Sequence, residues 1–203
     1  MENLKKIVNF FFEVISLKQV KRSGLPVAGA RNPDSVAEHC FAAAQIAYIL
    51  AKMEKANAEH STILALFHDN GESRVGDLHL IQKCYLNSEQ GERRALFDQT
   101  AGIPADEDLK EMFEEFKKGN TPESVIARDA DRLELALQAK YSIDVGGNKA
   151  IYLWFDRIRV LLRTESAKKL LEVIEKTDMN EWWQSISEIQ EKIEKWRSEK
   201  SNL

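Results

Sequence analysis

Apolar residues along this chain recur with a helical period. Leu4, Ile7, Val8, Phe11, Val14 and Ile15 form a stripe at spacings of one, three and four near the start, and Trp182, Ile186, Ile189, Ile193 and Trp196 form another near the end. Amphipathic helices are predicted at both places. Between them, Asp34-Ser35 can cap a helix from Val36 to about Lys55, and Ser61 can open one through Asn70. Thr121-Pro122 supplies a cap and a first-turn proline ahead of a helix from Val125 to about Tyr141. Further helices are predicted over Glu89 to Ala101, Ala105 to Lys118, Ala150 to Arg163 and Glu165 to Lys176. Gly102-Ile103-Pro104 and Asp144-Val145-Gly146-Gly147-Asn148 read as loops. There is no convincing strand alternation, repeat or low-complexity run, so the expectation is an all-α, compact multi-helix bundle.

Composition narrows the setting. With 203 residues and 43% hydrophobic content, the chain can bury a substantial core, and one domain over 1–203 is expected. A formal net charge of −4 lacks the basic excess that binding to a nucleic-acid backbone favours. A small anionic ligand fits better. The start, Met1-Glu2-Asn3-Leu4-Lys5-Lys6, leads into no signal-peptide core, and no apolar run approaches membrane-spanning length. Cys40 and Cys84 read as reduced thiols, Cys40 inside an apolar run. A cytoplasmic protein without a membrane anchor is expected.

Two segments carry chemistry. From Val36 to Leu50 only Glu38, His39, Gln45 and the Tyr48 hydroxyl interrupt apolar side chains, so His39 is expected inside the protein. Thr62-Ile63-Leu64-Ala65-Leu66-Phe67 runs into His68-Asp69 and would place an ionisable pair at the end of a second buried helix. A buried carboxylate costs several kcal/mol unless it is paired or bound to a cation. A lone buried histidine is more often a hydrogen-bonded core residue than a ligand; the conjunction of His39, His68, Asp69 and a further Asp is what points to a metal. Glu72 lies four residues beyond His68, on the same face if the helix continues through Asn70-Gly71. Near Asp131 the periodicity is ambiguous. Arg128, Asp129, Arg132 and Glu134 can be read as a solvated face, which leaves Asp129 a rival ligand.

In order and context, His39, His68-Asp69 and Asp131 resemble the H…HD…D signature of the HD-domain metal-dependent phosphohydrolases, an all-helical superfamily. The likeness is strongest to the 5′-deoxynucleotidase branch and its archaeal and eukaryotic relatives. It is carried by Val20-Lys21-Arg22, Asn32-Pro33-Asp34-Ser35-Val36-Ala37-Glu38-His39, His68-Asp69-Asn70-Gly71-Glu72, Gly76-Asp77-Leu78 and Ala130-Asp131-Arg132-Leu133. These segments lie within about 4–140, ahead of C-terminal helices at about 150–200. The resemblance favours Asp131 over Asp129, because in the family the ligand Asp follows Ala and precedes Leu by two positions. It implies His39, His68, Asp69 and Asp131 as metal ligands, Glu72 as the catalytic residue, and Arg22 and Asp77 as substrate contacts. From residue type alone, Arg22 is equally a surface cation and Asp77 a turn or cap residue. A homodimer is also implied.

Two-metal members of the superfamily resemble one another in adding histidines between the HD pair and the final Asp. Here only His79 lies in that interval, and His60 reads as a surface residue at a helix start. One ion is expected, and a mixed nitrogen and oxygen set suits manganese, cobalt, nickel, iron or zinc better than magnesium. The implied activity is phosphate removal from 5′-nucleotides, deoxynucleoside 5′-monophosphates foremost. Alternatives are hydrolysis of another phosphate ester, such as a nucleoside triphosphate or a guanosine polyphosphate, and a non-catalytic helical module that binds a nucleotide or a partner. Bacterial members of the branch carry Trp after the arginine that matches Arg22, where this chain has Ser23-Gly24. The loop from Ser23 to Arg31 has no aromatic to replace it, which leaves deoxy-versus-ribo preference open.

Overall fold

A computed structural model describes residues 2–200. The chain runs α1 (Glu2–Ser16), α2 (Gly24–Val27), α3 (Val36–Glu54), α4 (Ala58–Phe67), α5 (Glu72–Val75), α6 (Leu80–Lys83) and α7 (Ser88–Thr100). It continues through α8 (Asp106–Lys118), α9 (Pro122–Asp144), α10 (Tyr152–Leu161), α11 (Glu165–Lys176), α12 (Glu181–Gln184) and α13 (Ser187–Lys200). Among the described residues the only β pairing is an isolated antiparallel bridge between Lys21 and Ser35. No helix there is long and apolar enough to cross a membrane.

Capping residues set the boundaries of the central helices. Ser35 and Glu38 close a reciprocal capping box at the start of α3, and Thr121 and Ser124 close another at α9 behind Pro122. Asn57 caps α4 through the amide of His60, so that helix opens at Ala58, ahead of the predicted Ser61, and it stops at Phe67. The expected single C-terminal helix is divided into α12 and α13, and Trp182 and Trp196 are exposed. The stripe on α1 is placed differently too. Phe10 is the buried residue of that helix, whereas Leu4, Val8, Phe11, Phe12 and Ile15 face outward.

Alanines let α3, α4 and α9 approach closely. Ala43, Ala47, Ala51, Ala65, Ala127, Ala130 and Ala136 are fully buried, so short side chains fill the seams where longer ones would force the helices apart. The largest apolar cluster joins Leu50, Ile126 and Leu133 to Phe155, Ile158, Leu162 and Leu171. Helices beyond residue 150 therefore complete the core that supports the motif-bearing ones. Each such side chain contributes about 1.5–3 kcal/mol through burial.

Candidate metal centre and its cavity

Four of the singled-out side chains meet where α3, the end of α4 and α9 pack together. His39 Nε2 lies 3.2 Å from Asp131 Oδ1 and 3.7 Å from Asp69 Oδ2. His68 Nε2 lies 3.0 Å from Asp69 Oδ2 and 4.0 Å from Asp131 Oδ1. His39, His68 and Asp69 are buried, while Asp131 is partly open to a cavity of about 440 Å³.

Both imidazoles are anchored from behind. His39 Nδ1 contacts Glu134 Oε2 at 2.5 Å, and His68 Nδ1 contacts the Ala65 carbonyl at 2.8 Å. A carbonyl only accepts, so His68 Nδ1 donates and its Nε2 lone pair faces Asp69 and Asp131. Glu134 favours the same tautomer at His39. Turned this way, His39 Nε2 is buried, 3.2 Å from Asp131 Oδ1 but not in hydrogen-bond geometry with it or another group. A buried polar atom without a partner is costly. Ligand atoms of His39, His68 and Asp69 lie within 4.8 Å of one another, a spacing that fits one divalent transition-metal ion, and Asp131 Oδ1, 3.2 Å from His39 Nε2, stands beside them as a fourth donor of the mixed nitrogen and oxygen set.

Helix geometry separates the two aspartates. Residues two apart on a helix point to nearly opposite sides, and Asp129 is fully buried away from the imidazoles. Its carboxylate accepts from the Arg163 and Thr164 amides, from the Thr164 hydroxyl and from Arg132. Glu134, three residues after Asp131, shares the inward face. The alternative reading of this stretch of α9 as a solvated face does not hold for Asp129 and Glu134, which are both buried in hydrogen-bonded positions.

The chain between α4 and α5 is a sequence of tight turns, so α4 does not continue into Glu72. Gly71 lets this segment press against α7: a Cβ there would lie 2.5 Å from the Glu92 carbonyl oxygen. Only glycine allows this approach. It brings Glu72 to the cavity wall, buried, with Oε2 unpartnered. Burial, reinforced by Asp69 and Asp77, pushes the Glu72 pKa up to about 10. At His39, burial and Arg22 oppose the charged form, but Asp131 and Glu134 outweigh them and push its pKa up to about 9. Burial works against Asp69 and Asp131 as well, yet the surrounding imidazoles and Arg22 hold both carboxyls below the usual range.

Arg22 and Asp77 line the same cavity. Backbone hydrogen bonds from Arg22 to Asp34 and from Val36 to Val20 clamp this segment against the start of α3. Arg22 Nη1 then reaches Asp69 Oδ2 at 3.4 Å and approaches Asp77 Oδ1 to 4.0 Å. Asp77 Oδ2 accepts from the Ser23 amide at 2.5 Å, and the Ser23 hydroxyl donates to the Asp77 carbonyl at 2.8 Å. His79 caps α6 through Gln82, and His60 contacts Glu115 at 2.8 Å; neither belongs to a potential metal-binding group among the described residues. Sequence reasoning missed Lys117, held 2.6 Å from buried Glu92 on the cavity wall, and nothing in their spacing marked the pair.

Two consequences are measurable here. Glu134→Ala is expected to lower metal affinity about 10–100-fold, with Glu134→Gln recovering most of it because an amide oxygen still accepts from Nδ1; metal titration calorimetry of both variants checks this. The second concerns pH. In metal-free protein His39 and Glu72 retain protons that the unfolded chain releases above about pH 6.5 and 4.5 respectively. The native state then binds more protons than the unfolded one, so stability falls as pH rises from 6 toward 9. A metal ion displaces such protons. The melting-temperature gain on adding Mn²⁺ should therefore grow from pH 6 to 8, and a flat or falling gain would contradict the assignment.

An all-helical bundle that presents a cluster of two imidazoles and two carboxylates beside a cavity lined by both cations and carboxylates has the construction of a metal-dependent hydrolase. The chain belongs to the HD-domain family of metal-dependent phosphohydrolases, whose HD domain model matches residues 14–183. The human 5′-deoxynucleotidase HDDC2 is 29% identical over 140 residues, which cover 66% of this chain and 67% of that protein. The 5′-deoxynucleotidase hdd1 of Schizosaccharomyces pombe is 28% identical over 163 residues, covering 75% and 81%. A conserved hypothetical protein from Pyrococcus furiosus has the same fold, with a TM-score of 0.72, 26% identity, and coverage of 84% of this chain and 99% of that one.

Proposed function

We propose that this protein removes phosphate from 5′-nucleotides, with deoxynucleoside 5′-monophosphates as preferred substrates, using one divalent transition-metal ion held by His39, His68, Asp69 and Asp131. The observation that carries the reading is the convergence of both Nε2 atoms with Asp69 and Asp131 at the mouth of a cavity that Arg22, Glu72 and Asp77 also line. The substrate class follows the names of the human and fission-yeast relatives. A bound ion of this kind polarises a phosphoryl oxygen and lowers the pKa of the attacking water. Arg22 offers guanidinium donors to the phosphate. Glu72, outside the ligand set and with a free carboxylate oxygen, takes a proton from the water as it adds to phosphorus, and that proton is returned to the sugar O5′ as its bond to phosphorus breaks. The products are a nucleoside and inorganic phosphate. Asp77, an acceptor beside Arg22, receives a sugar hydroxyl.

The nitrogen-containing ligand set favours manganese, cobalt, nickel, iron or zinc over magnesium. The whole chain works as one domain in this reading, since α10 and α11 complete the core behind the site. The exposed stripe on α1 suits a homodimer. Incubating the metal-loaded protein with a panel of deoxy- and ribonucleotides tests the activity. Release of inorganic phosphate from deoxynucleoside monophosphates is expected; release only of pyrophosphate or triphosphate would redirect the reading to another phosphate ester. No product with any divalent ion would overturn it.

A further inference from the structure

The cavity has two ends of different chemistry. Asp69, Glu72 and Asp131 mark the charged end, while Leu135, Trp154 and Ile158 line its apolar part. Two helices give the spacing. On α9, Asp131, Leu135 and Gln138 follow one another along one face, and on α10 Trp154, Ile158 and Leu161 do the same. Arg132 Nη1 donates to the Leu161 carbonyl at 2.8 Å and the Arg163 and Thr164 amides donate to Asp129, which ties the end of α10 to the stretch of α9 that carries Asp131. Trp154 lies seven residues before that end, about 10 Å of helix away. This matches the reach of a nucleoside from its 5′ phosphate to its base.

The indole also borders the Arg22 loop. A Cβ at Gly24 would lie 3.9 Å from Trp154 Nε1, and the neighbouring Ser23 is tied to Asp77. Phe116, the other aromatic of the cavity lining, is buried and packs on the His68 ring with centroids 4.7 Å apart. Trp154 is only partly buried. Its ring is the extended aromatic surface left for a planar ligand.

We infer that Trp154 is a specificity-determining residue, the wall on which the substrate's nucleobase stacks while its phosphate reaches the metal end. The inference rests on the nucleotide reading above and supplies from α10 an aromatic wall that the Ser23-Gly24 loop lacks. Stacking on an aromatic ring accepts any base, so the wall would favour nucleotides over simple phosphate esters without selecting among bases.

The test uses the two product classes, which undergo no turnover: 2′-deoxyadenosine as the base-bearing probe and inorganic phosphate as the other, each titrated into metal-loaded protein. Trp154→Ala should bind deoxyadenosine about tenfold more weakly, Trp154→Phe should stay within about threefold of the wild type, and phosphate affinity should be unchanged in both. Deoxyadenosine should also quench tryptophan fluorescence in the wild type and much less in Trp154→Phe. Unchanged deoxyadenosine affinity in Trp154→Ala, equal losses for both probes, or a wild type that does not bind deoxyadenosine would overturn the inference. Trp154-dependent deoxyadenosine binding by a protein that hydrolyses no nucleotide would instead overturn the activity and leave the wall standing.

Discussion

Glu72→Gln lowers the turnover number on a deoxynucleoside monophosphate by about 10²–10⁴-fold, the range expected when a positioned general base is lost, while metal content stays at the wild-type level. The substitution preserves shape and removes the proton acceptor. Glu72 is buried on the cavity wall and its Oε2 has no hydrogen-bond partner, so that oxygen is free to accept a proton. Burial beside Asp69 and Asp77 raises its pKa to about 10; a cation at the cluster offsets those negative charges and lets the carboxylate form near neutral pH. Turnover kinetics and metal analysis on the same preparations check the expectation. Loss of metal together with activity would make Glu72 a ligand, and full activity would remove it from the chemistry.

Asp129→Ala should cost about 3–5 kcal/mol of stability in urea unfolding, the scale for breaking a buried charge network by deleting one partner. The carboxylate bonds to the Arg163 amide, the Thr164 amide and hydroxyl, and Arg132, which joins α9 to the start of α11. Its removal takes the shared acceptor away from several part-buried donors at once. Asp131→Ala, two residues away, should instead abolish high-affinity metal binding at a smaller cost to folding, because Asp131 opens onto the cavity and faces the His39 and His68 imidazoles rather than the backbone amides that Asp129 holds. Similar unfolding midpoints for the two variants would contradict this division of roles.

The helices were largely legible because their signals are local. Ser35 with Glu38 and Thr121-Pro122 announce α3 and α9 through short-range hydrogen bonding, and the structure adopts both. The five residues of the central constellation were visible as ionisable groups interrupting apolar runs. What could not be read was tertiary. Glu134 looked like part of a charged surface until α3 packed against α9 and brought His39 to it, although its spacing of three from Asp131 was a usable signal. Trp154 had no local mark at all, since it reaches the cavity only through the return of α10 along α9. The α1 stripe had the right period, but periodicity reports that a helix has an apolar side without naming what covers it.

The anchors behind the two imidazoles have a further consequence. His39 leans on the carboxylate of Glu134, whereas His68 leans on a neutral backbone carbonyl. A negatively charged acceptor draws the Nδ1 proton more strongly and leaves the ring richer in electrons, so the two nitrogen donors are unequal. The centre is electronically lopsided, with its stronger σ-donor on α3. Cobalt substitution would make this visible as two imidazole N–H resonances with different paramagnetic shifts, the His39 proton bearing the imprint of its carboxylate.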